Sequence, residues 1–109
     1  MDWSGKTNHT VGVIGNKYYY INALVRINQY HIGSYASWQK QGVIAHELGH
    51  VIALDDDNGY LLYGDPKVLM IGYDSQRHSL GIYTPQSVNK YVSGLGYVYG
   101  DVEGANYLY

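Results

Sequence analysis

Cysteine and phenylalanine are both absent from this chain of 109 residues. Without cysteine there can be no disulfide bond and no thiolate ligand, so any bound metal ion must be held by His, Asp or Glu. The fourteen tyrosines must supply much of the aromatic bulk, with their hydroxyl groups reaching polar partners or water. The fourteen glycines predict short elements joined by irregular loops.

The chain also lacks long runs of like charge and long apolar runs. Seven basic and nine acidic residues give a formal net charge of −2 without any block of like charge, which argues against nucleic acid or an anionic membrane as a partner. No apolar run is long enough to span a membrane, and the opening MDWSGKTNHT has neither the basic start nor the apolar stretch of a secretion signal. The length predicts one small domain over residues 1–109, which we expect to be a monomer.

The first third of the chain carries the pattern of a β-hairpin. Val11–Ile14 and Tyr18–Ile27 are separated by the turn residues Gly15 and Asn16, as expected for strand, turn and strand. In the second segment the residues from Ile21 to Ile27 alternate in a way that predicts one buried face and one more open face.

A helix is predicted from about Ala36 to Leu54. Its apolar residues fall at i, i+4, i+7 and i+8, which predicts one core-facing stripe with both histidines of the helix lying off it. The residues of this stripe are Ile44, Leu48, Val51 and Ile52. The run Asp55–Gly59 should end the helix.

Two further expectations concern the last quarter of the chain. Thr84-Pro85 resembles an N-cap followed by proline in the first turn, so a second, shorter helix is predicted to run to about Ser93. The glycine- and tyrosine-rich tail after it is expected to be packed coil or a short strand.

Inside the predicted long helix the sequence reads His46-Glu47-Leu48-Gly49-His50. Residues four apart on a helix share one face, so His46 and His50 can direct ring nitrogens at one point. Glu47 is rotated by about 100° around the helix axis from His46. Its carboxylate would therefore lie beside a metal ion bound by the two histidines, within reach of a water molecule on that ion. Random placement would give this pattern in roughly four chains per thousand of this composition, so a helix with two solvent-facing histidines stays an alternative.

A catalytic zinc site needs a third protein ligand if the fourth position is to stay open. Asp56 is the best candidate, because it follows His50 by six residues, where the chain should turn back toward the metal. Asp55 and Asp57 are competing neighbours, and a solvated acidic helix end is the structural alternative. The run does not fit a calcium-loop spacing, since Leu54 stands where the first carboxylate would be needed.

The stretch HELGHVIALDD resembles the signature H-E-x-x-H-x-x-G-x-x-H/D of the metzincin zinc proteases, and aspartate as the last ligand resembles the snapalysin branch. The resemblance implies one catalytic zinc ion on His46, His50 and Asp56, with Glu47 as general base. Downstream, VLMIGY resembles the Met-turn, with Met70 beneath the histidines. The implied fold is α+β, with a small twisted sheet packed on the active-site helix, the Met-turn and a short C-terminal helix.

The resemblance also implies function and location. It predicts an endopeptidase acting on proteins or peptides, extracellular or at the surface of a bacterium, with the secretion signal outside this chain. The strand of residues 20–27 would hold an extended substrate by its edge. Tyr73, Ile71 and Arg26 are candidate substrate contacts.

The sequence departs from the metzincin pattern in two ways. Ala53 replaces the signature glycine, and a positive φ there would cost alanine about 1–2 kcal/mol. Only 45 residues precede His46, so the N-terminal part is reduced or truncated and the chain is a candidate fragment. The alternatives are a degenerate metal-binding domain, a zinc hydrolase acting on small molecules, and a structural helix without metal.

Overall fold

The computed structural model describes residues 3–56, 67–94 and 96–108, which form an α+β fold. Two two-stranded antiparallel sheets, β1 with β2 and β3 with β4, are accompanied by four helices in these ranges. None of these helices is long and apolar enough to cross a membrane. The elements are β1 Gly5–Ile14, β2 Lys17–Ile27, α1 Gln29–Ile32, α2 Ser37–Val51, α3 Asp74–Leu80, β3 Asn89–Val92, β4 Gly96–Tyr99 and α4 Asp101–Leu108.

The predicted hairpin is confirmed. β1 and β2 pair antiparallel and close at Ile14 opposite Lys17, and Gly15 takes a φ of 62° in the turn between them, a conformation that glycine adopts without steric cost. The alternation in β2 is also observed, with Ala23, Val25 and Ile27 half-buried and the intervening Leu24 and Arg26 exposed. Ile21 is exposed instead.

Helix α2 forms where predicted, but the predicted core-facing stripe is wrong. Ile44, Leu48 and Ile52 are 43%, 53% and 40% exposed, whereas His46 and Glu47 are 4% and 6% exposed. The hairpin packs on the face that carries these two polar side chains. A polar face can be buried when its groups find hydrogen-bond partners, and the partners here come from distant parts of the chain.

The end of α2 brings the chain back toward the helix. Ile52 is the C-cap, and the next residue, Ala53, has a φ of 72°, so alanine does carry the cost of the left-handed conformation here. The Leu54 amide donates to the Gly49 carbonyl and the Ala53 amide to the His50 carbonyl, both at 3.0 Å. These two bonds define a Schellman turn, so the helix ends at Val51 rather than Leu54.

Replacing Ala53 with glycine is expected to raise the free energy of unfolding by about 0.5–1 kcal/mol. The left-handed conformation costs alanine about 1–2 kcal/mol, and the greater freedom of glycine in the unfolded chain removes only part of this gain. Denaturant unfolding measures the change. Ala45→Gly, at a right-handed position inside α2, is the control and should destabilise by about 1 kcal/mol; equal destabilisation by both substitutions would contradict the turn.

The helix predicted after Thr84-Pro85 is wrong. The chain continues irregularly to Val88, and the C-terminal helix is α4, which begins at Asp101. The Gln86 amide donates to the Asp101 carboxylate at 2.9 Å, and the Val88 amide donates to the Glu103 carboxylate at 2.8 Å. Because these amides bind side chains of α4, they hold the segment that leads into β3.

Candidate metal centre

Three side-chain atoms converge at the end of α2. His46 Nε2 lies 3.1 Å from His50 Nε2, and both nitrogens lie 3.0 Å from Asp56 Oδ1. The two imidazole planes are perpendicular, with ring centroids 4.7 Å apart. Helix spacing brings the histidines together, and the Schellman turn brings in Asp56. Among the described residues, these three alone form a group suited to hold a metal ion.

The opposite nitrogen of each ring is bound to the backbone. His46 Nδ1 lies 2.9 Å from the Leu69 carbonyl oxygen, and His50 Nδ1 lies 2.6 Å from the Leu54 carbonyl oxygen. Since a carbonyl can only accept, these contacts favour a proton on each Nδ1, although at His46 Nδ1 the donor group of Arg77 also lies 3.3 Å away. With the proton on Nδ1, both neutral rings present Nε2 lone pairs toward each other and toward a carboxylate. Three acceptors this close require a shared cation, either protons or a metal ion.

The donor set fits zinc in type and spacing. Zinc binds His nitrogen and carboxylate oxygen at about 2.0–2.1 Å, so tetrahedral ligand atoms stand about 3.3–3.4 Å apart. The distances of 3.0–3.1 Å found here are a few tenths shorter. His46 is buried, whereas the side chain of Asp56 is 50% exposed, so the centre opens to solvent on the side of the turn.

Contact with the imidazoles also affects the charge of Asp56. When the rings are protonated, a hydrogen bond from His46 and the positive charge of both rings lower the pKa of the Asp56 carboxyl, and partial burial acts in the opposite direction. The carboxylate is therefore ionised at neutral pH, in the state that a metal ligand requires.

Glu47 is buried beside the centre rather than within it. Thr7 Oγ1, on β1, lies 2.8 Å from Glu47 Oε1 and 3.1 Å from the Glu47 carbonyl oxygen. Gly5, two residues earlier on the same strand face, is in direct contact with the glutamate side chain, because a Cβ there would stand 2.7 Å from Glu47 Cγ. The carboxylate is thus enclosed by β1 on one side and α2 on the other.

Two cavities meet at Glu47. The first, which we call the metal cleft, has a volume of about 350 Å³ and contains all three candidate ligands. The second, the side cavity, has a volume of about 370 Å³ and is lined by Tyr35, Tyr73 and Asp74 among others. Both cavities share Gly5, His46, Glu47 and Gly72, so a molecule bound across the centre would contact Glu47.

Residues Val68–Ile71 form a buried segment behind the histidines. Met70 packs on Gly49, and the sulfur occupies the space that a side chain at Gly49 would need. The Asp101 carboxylate accepts from the Leu69 amide at 2.8 Å and from the Met70 amide at 3.1 Å. Asp101 therefore fixes the segment whose Leu69 carbonyl orients His46.

A second polar network borders the side cavity. Arg77 is 2% exposed, forms an ion pair with Asp74 and donates to the Ile71 carbonyl. Asp74 also accepts from Ser4 and, at 2.9 Å, from the Tyr35 hydroxyl. Partial burial raises the pKa of Asp74, but the Ser4 hydrogen bond and the Arg77 charge outweigh it and leave this pKa below its usual value. Asp74 therefore remains a carboxylate at neutral pH.

The candidate substrate contacts lie in different places. Tyr73 is 53% exposed and lines the side cavity. Ile71 is fully buried, and Arg26 lies on the outer surface, where it donates to Asn8 at 3.1 Å. Neither Ile71 nor Arg26 lines the metal cleft or the side cavity.

The strand that borders the metal cleft is β1, which corrects the expectation for residues 20–27. Five consecutive residues, 5–9, line the cleft, so the edge of β1 runs along it. β2 pairs with the opposite edge of β1, and no other strand in the described part of the chain pairs with the edge at the cleft. The β1 contribution was missed because Gly5–Thr10, GKTNHT, carries no alternating apolar pattern.

The sequence did not identify several residues that hold the candidate site in place. Thr7, Gly49, Arg77 and Asp101 act through contacts with residues 20 or more positions away. The spacing HELGH does place Gly49 on the helix, but only the fold shows that Met70 needs its missing side chain. No local pattern identifies the other three.

No protein-family model, curated protein or solved structure matches this chain.

Proposed function

We propose that this protein is a zinc-dependent endopeptidase with a metzincin-like catalytic centre, most similar to the snapalysin branch. The observation that supports the proposal is the convergence of three acceptor atoms within 3.1 Å in a cleft that also holds the buried carboxylate of Glu47. His46, His50 and Asp56 would hold the ion. Secretion from a bacterial cell belongs to the same proposal.

Glu47 is the proposed general acid-base residue. Bound zinc supplies Lewis acidity, which polarises a carbonyl group and makes water more acidic. The Glu47 carboxylate takes a proton from the attacking water and then gives this proton to the departing amine. Burial of Glu47 between β1 and α2 excludes bulk water from one side of the carboxylate, so the proton stays within the site.

The open edge of β1 favours a peptide over a small molecule as substrate. An extended peptide can add to such an edge through backbone hydrogen bonds, and neighbouring cavities then select side chains. Residues 5–9 run beside both Glu47 and the ligand group, and the side cavity with Tyr73 opens at the same carboxylate. A peptide bound along β1 would therefore pass the centre and place one side chain in the side cavity.

Zinc titration combined with peptide hydrolysis tests the proposal. Protein stripped by a chelator should bind one zinc ion per chain, cleave casein or a quenched peptide mixture only after zinc is restored, and remain inactive with magnesium or calcium, which prefer oxygen-rich sites. Zinc binding without hydrolysis of any peptide would identify a passive metal-binding domain. Failure to bind zinc would remove the basis of the proposal.

A further inference from the structure

We infer that Thr7 is the positioning residue for Glu47, acting with Gly5 as one face of β1 that sets the direction of the glutamate carboxylate. This inference rests on the proposed function for its catalytic meaning, and on the packing of β1 against α2 for its structural content. Neither residue belongs to the HELGH stretch or to the turn that carries Asp56.

The hydroxyl of Thr7 has one proton and two nearby acceptors. Glu47 Oε1 is the closer at 2.8 Å, and the Glu47 carbonyl oxygen is 3.1 Å away. A hydrogen bond to an ionised carboxylate is shorter and stronger than one to a neutral carbonyl, so the proton goes to Oε1. This bond joins residues 40 positions apart and fixes one oxygen of the proposed base.

Gly5 fixes the side chain by contact rather than by hydrogen bonding. A Cβ at Gly5 would stand 2.7 Å from Glu47 Cγ and 3.2 Å from Oε2, so the glutamate fills the space above the strand backbone. Residues i and i+2 of a strand point to the same face, and Gly5 and Thr7 are both half-buried, with the exposed Lys6 between them. One oxygen is therefore held at Thr7 while the other lies at Gly5, where both cavities open.

This arrangement matters because Glu47 has three rotatable side-chain bonds and would otherwise sample several rotamers. A general base works only within hydrogen-bond reach of the proton that it removes. The hydroxyl of Thr7 has both of its described contacts with Glu47, so its effect on catalysis passes through Glu47.

The test compares Thr7→Val, which keeps the shape and removes the hydroxyl, with Thr7→Ser, which keeps the hydroxyl. For Thr7→Val we expect kcat to fall about 10- to 100-fold with KM and zinc affinity within about twofold of the parent, and for Thr7→Ser we expect kcat within about threefold. Parent-like kcat in Thr7→Val, or equal losses in both variants, would overturn the inference.

A second measurement does not depend on peptidase activity. In zinc-free protein, Thr7→Val should lower the denaturant midpoint when Glu47 is present. In a protein that already carries Glu47→Ala, and so lacks the carboxylate, the same substitution should lower the midpoint by less than half as much. Equal midpoint shifts in the two backgrounds would overturn the inference. If the parent cleaves no peptide, the proposed function fails. The difference between the two midpoint shifts still decides whether Thr7 holds Glu47.

Discussion

Glu47→Gln is expected to lower kcat/KM for peptide hydrolysis at least about a hundredfold and up to about ten-thousandfold, the range associated with loss of a general base. Glutamine has the size of glutamate, and its amide oxygen can still accept from Thr7, so the packing between β1 and α2 should survive. What is lost is the ability to take a proton. Steady-state kinetics on one quenched peptide measures the change.

Zinc binding separates this loss from loss of the centre. Since Glu47 lies outside the ligand group, zinc affinity should stay within about threefold of the parent, the scale of an indirect effect. Glu103→Gln provides the matched control, because it makes the same chemical change at the other glutamate of the chain, which lines neither cavity. Parent-like hydrolysis by Glu47→Gln would refute the proposed mechanism.

Asp56→Ala is expected to weaken zinc binding by more than about a hundredfold and to abolish hydrolysis. Loss of a group that only supports a ligand typically costs 10- to 100-fold in metal affinity, so loss of a ligand should cost more. The remaining two imidazoles would bind an ion with two open positions and no compensating negative charge. Competition with a chromogenic chelator measures the affinity.

The neighbouring aspartate supplies the control for charge. Asp55→Ala removes the same charge one residue earlier, from a side chain that lines the metal cleft but is not part of the ligand group. A general electrostatic effect would weaken zinc binding similarly in both variants. We expect Asp55→Ala to bind zinc within about threefold of the parent, and equal losses would argue against Asp56 as a ligand.

The local part of the site could be predicted from sequence. Positions 46 and 50 share a helix face by geometry alone, and the helix had to end before Asp56 because Asp55–Gly59 follows. The signature glycine also marked position 53 as a place where a positive φ would cost alanine, and Ala53 has a positive φ. Each of these expectations depends on residues within one or two turns of one another.

The distant part could not be predicted. Hydrophobic periodicity assigned the buried face of α2 to Ile44, Leu48, Val51 and Ile52, because it assumes that polar residues face water. His46 and Glu47 are buried instead, each bonded to a group more than 20 positions away. Only the fold shows that such partners exist, so the polarity of this face misled the sequence reasoning.

The segment that begins at Thr84-Pro85 shows the same limit of prediction from local sequence. Thr84-Pro85 has the chemistry of a helix start, and taken alone it favours a helix. The structure uses the amides after it to satisfy the carboxylates of Asp101 and Glu103, and Asp101 in turn holds Leu69 and Met70. A local preference thus yields to a tertiary hydrogen-bond network that stabilises the segment behind His46.

The three candidate ligands lie close together in the sequence, whereas the proposed base is held by a distant strand. His46, His50 and Asp56 lie within a single helix and the turn after it, whereas Glu47 is held by a strand 40 positions away. Closing a short segment costs little chain entropy, and closing a long one costs more. Metal binding therefore needs the helix, its turn and the Leu69 contact of His46, whereas turnover also needs the hairpin. Partial unfolding of the hairpin would abolish turnover before it abolished metal binding.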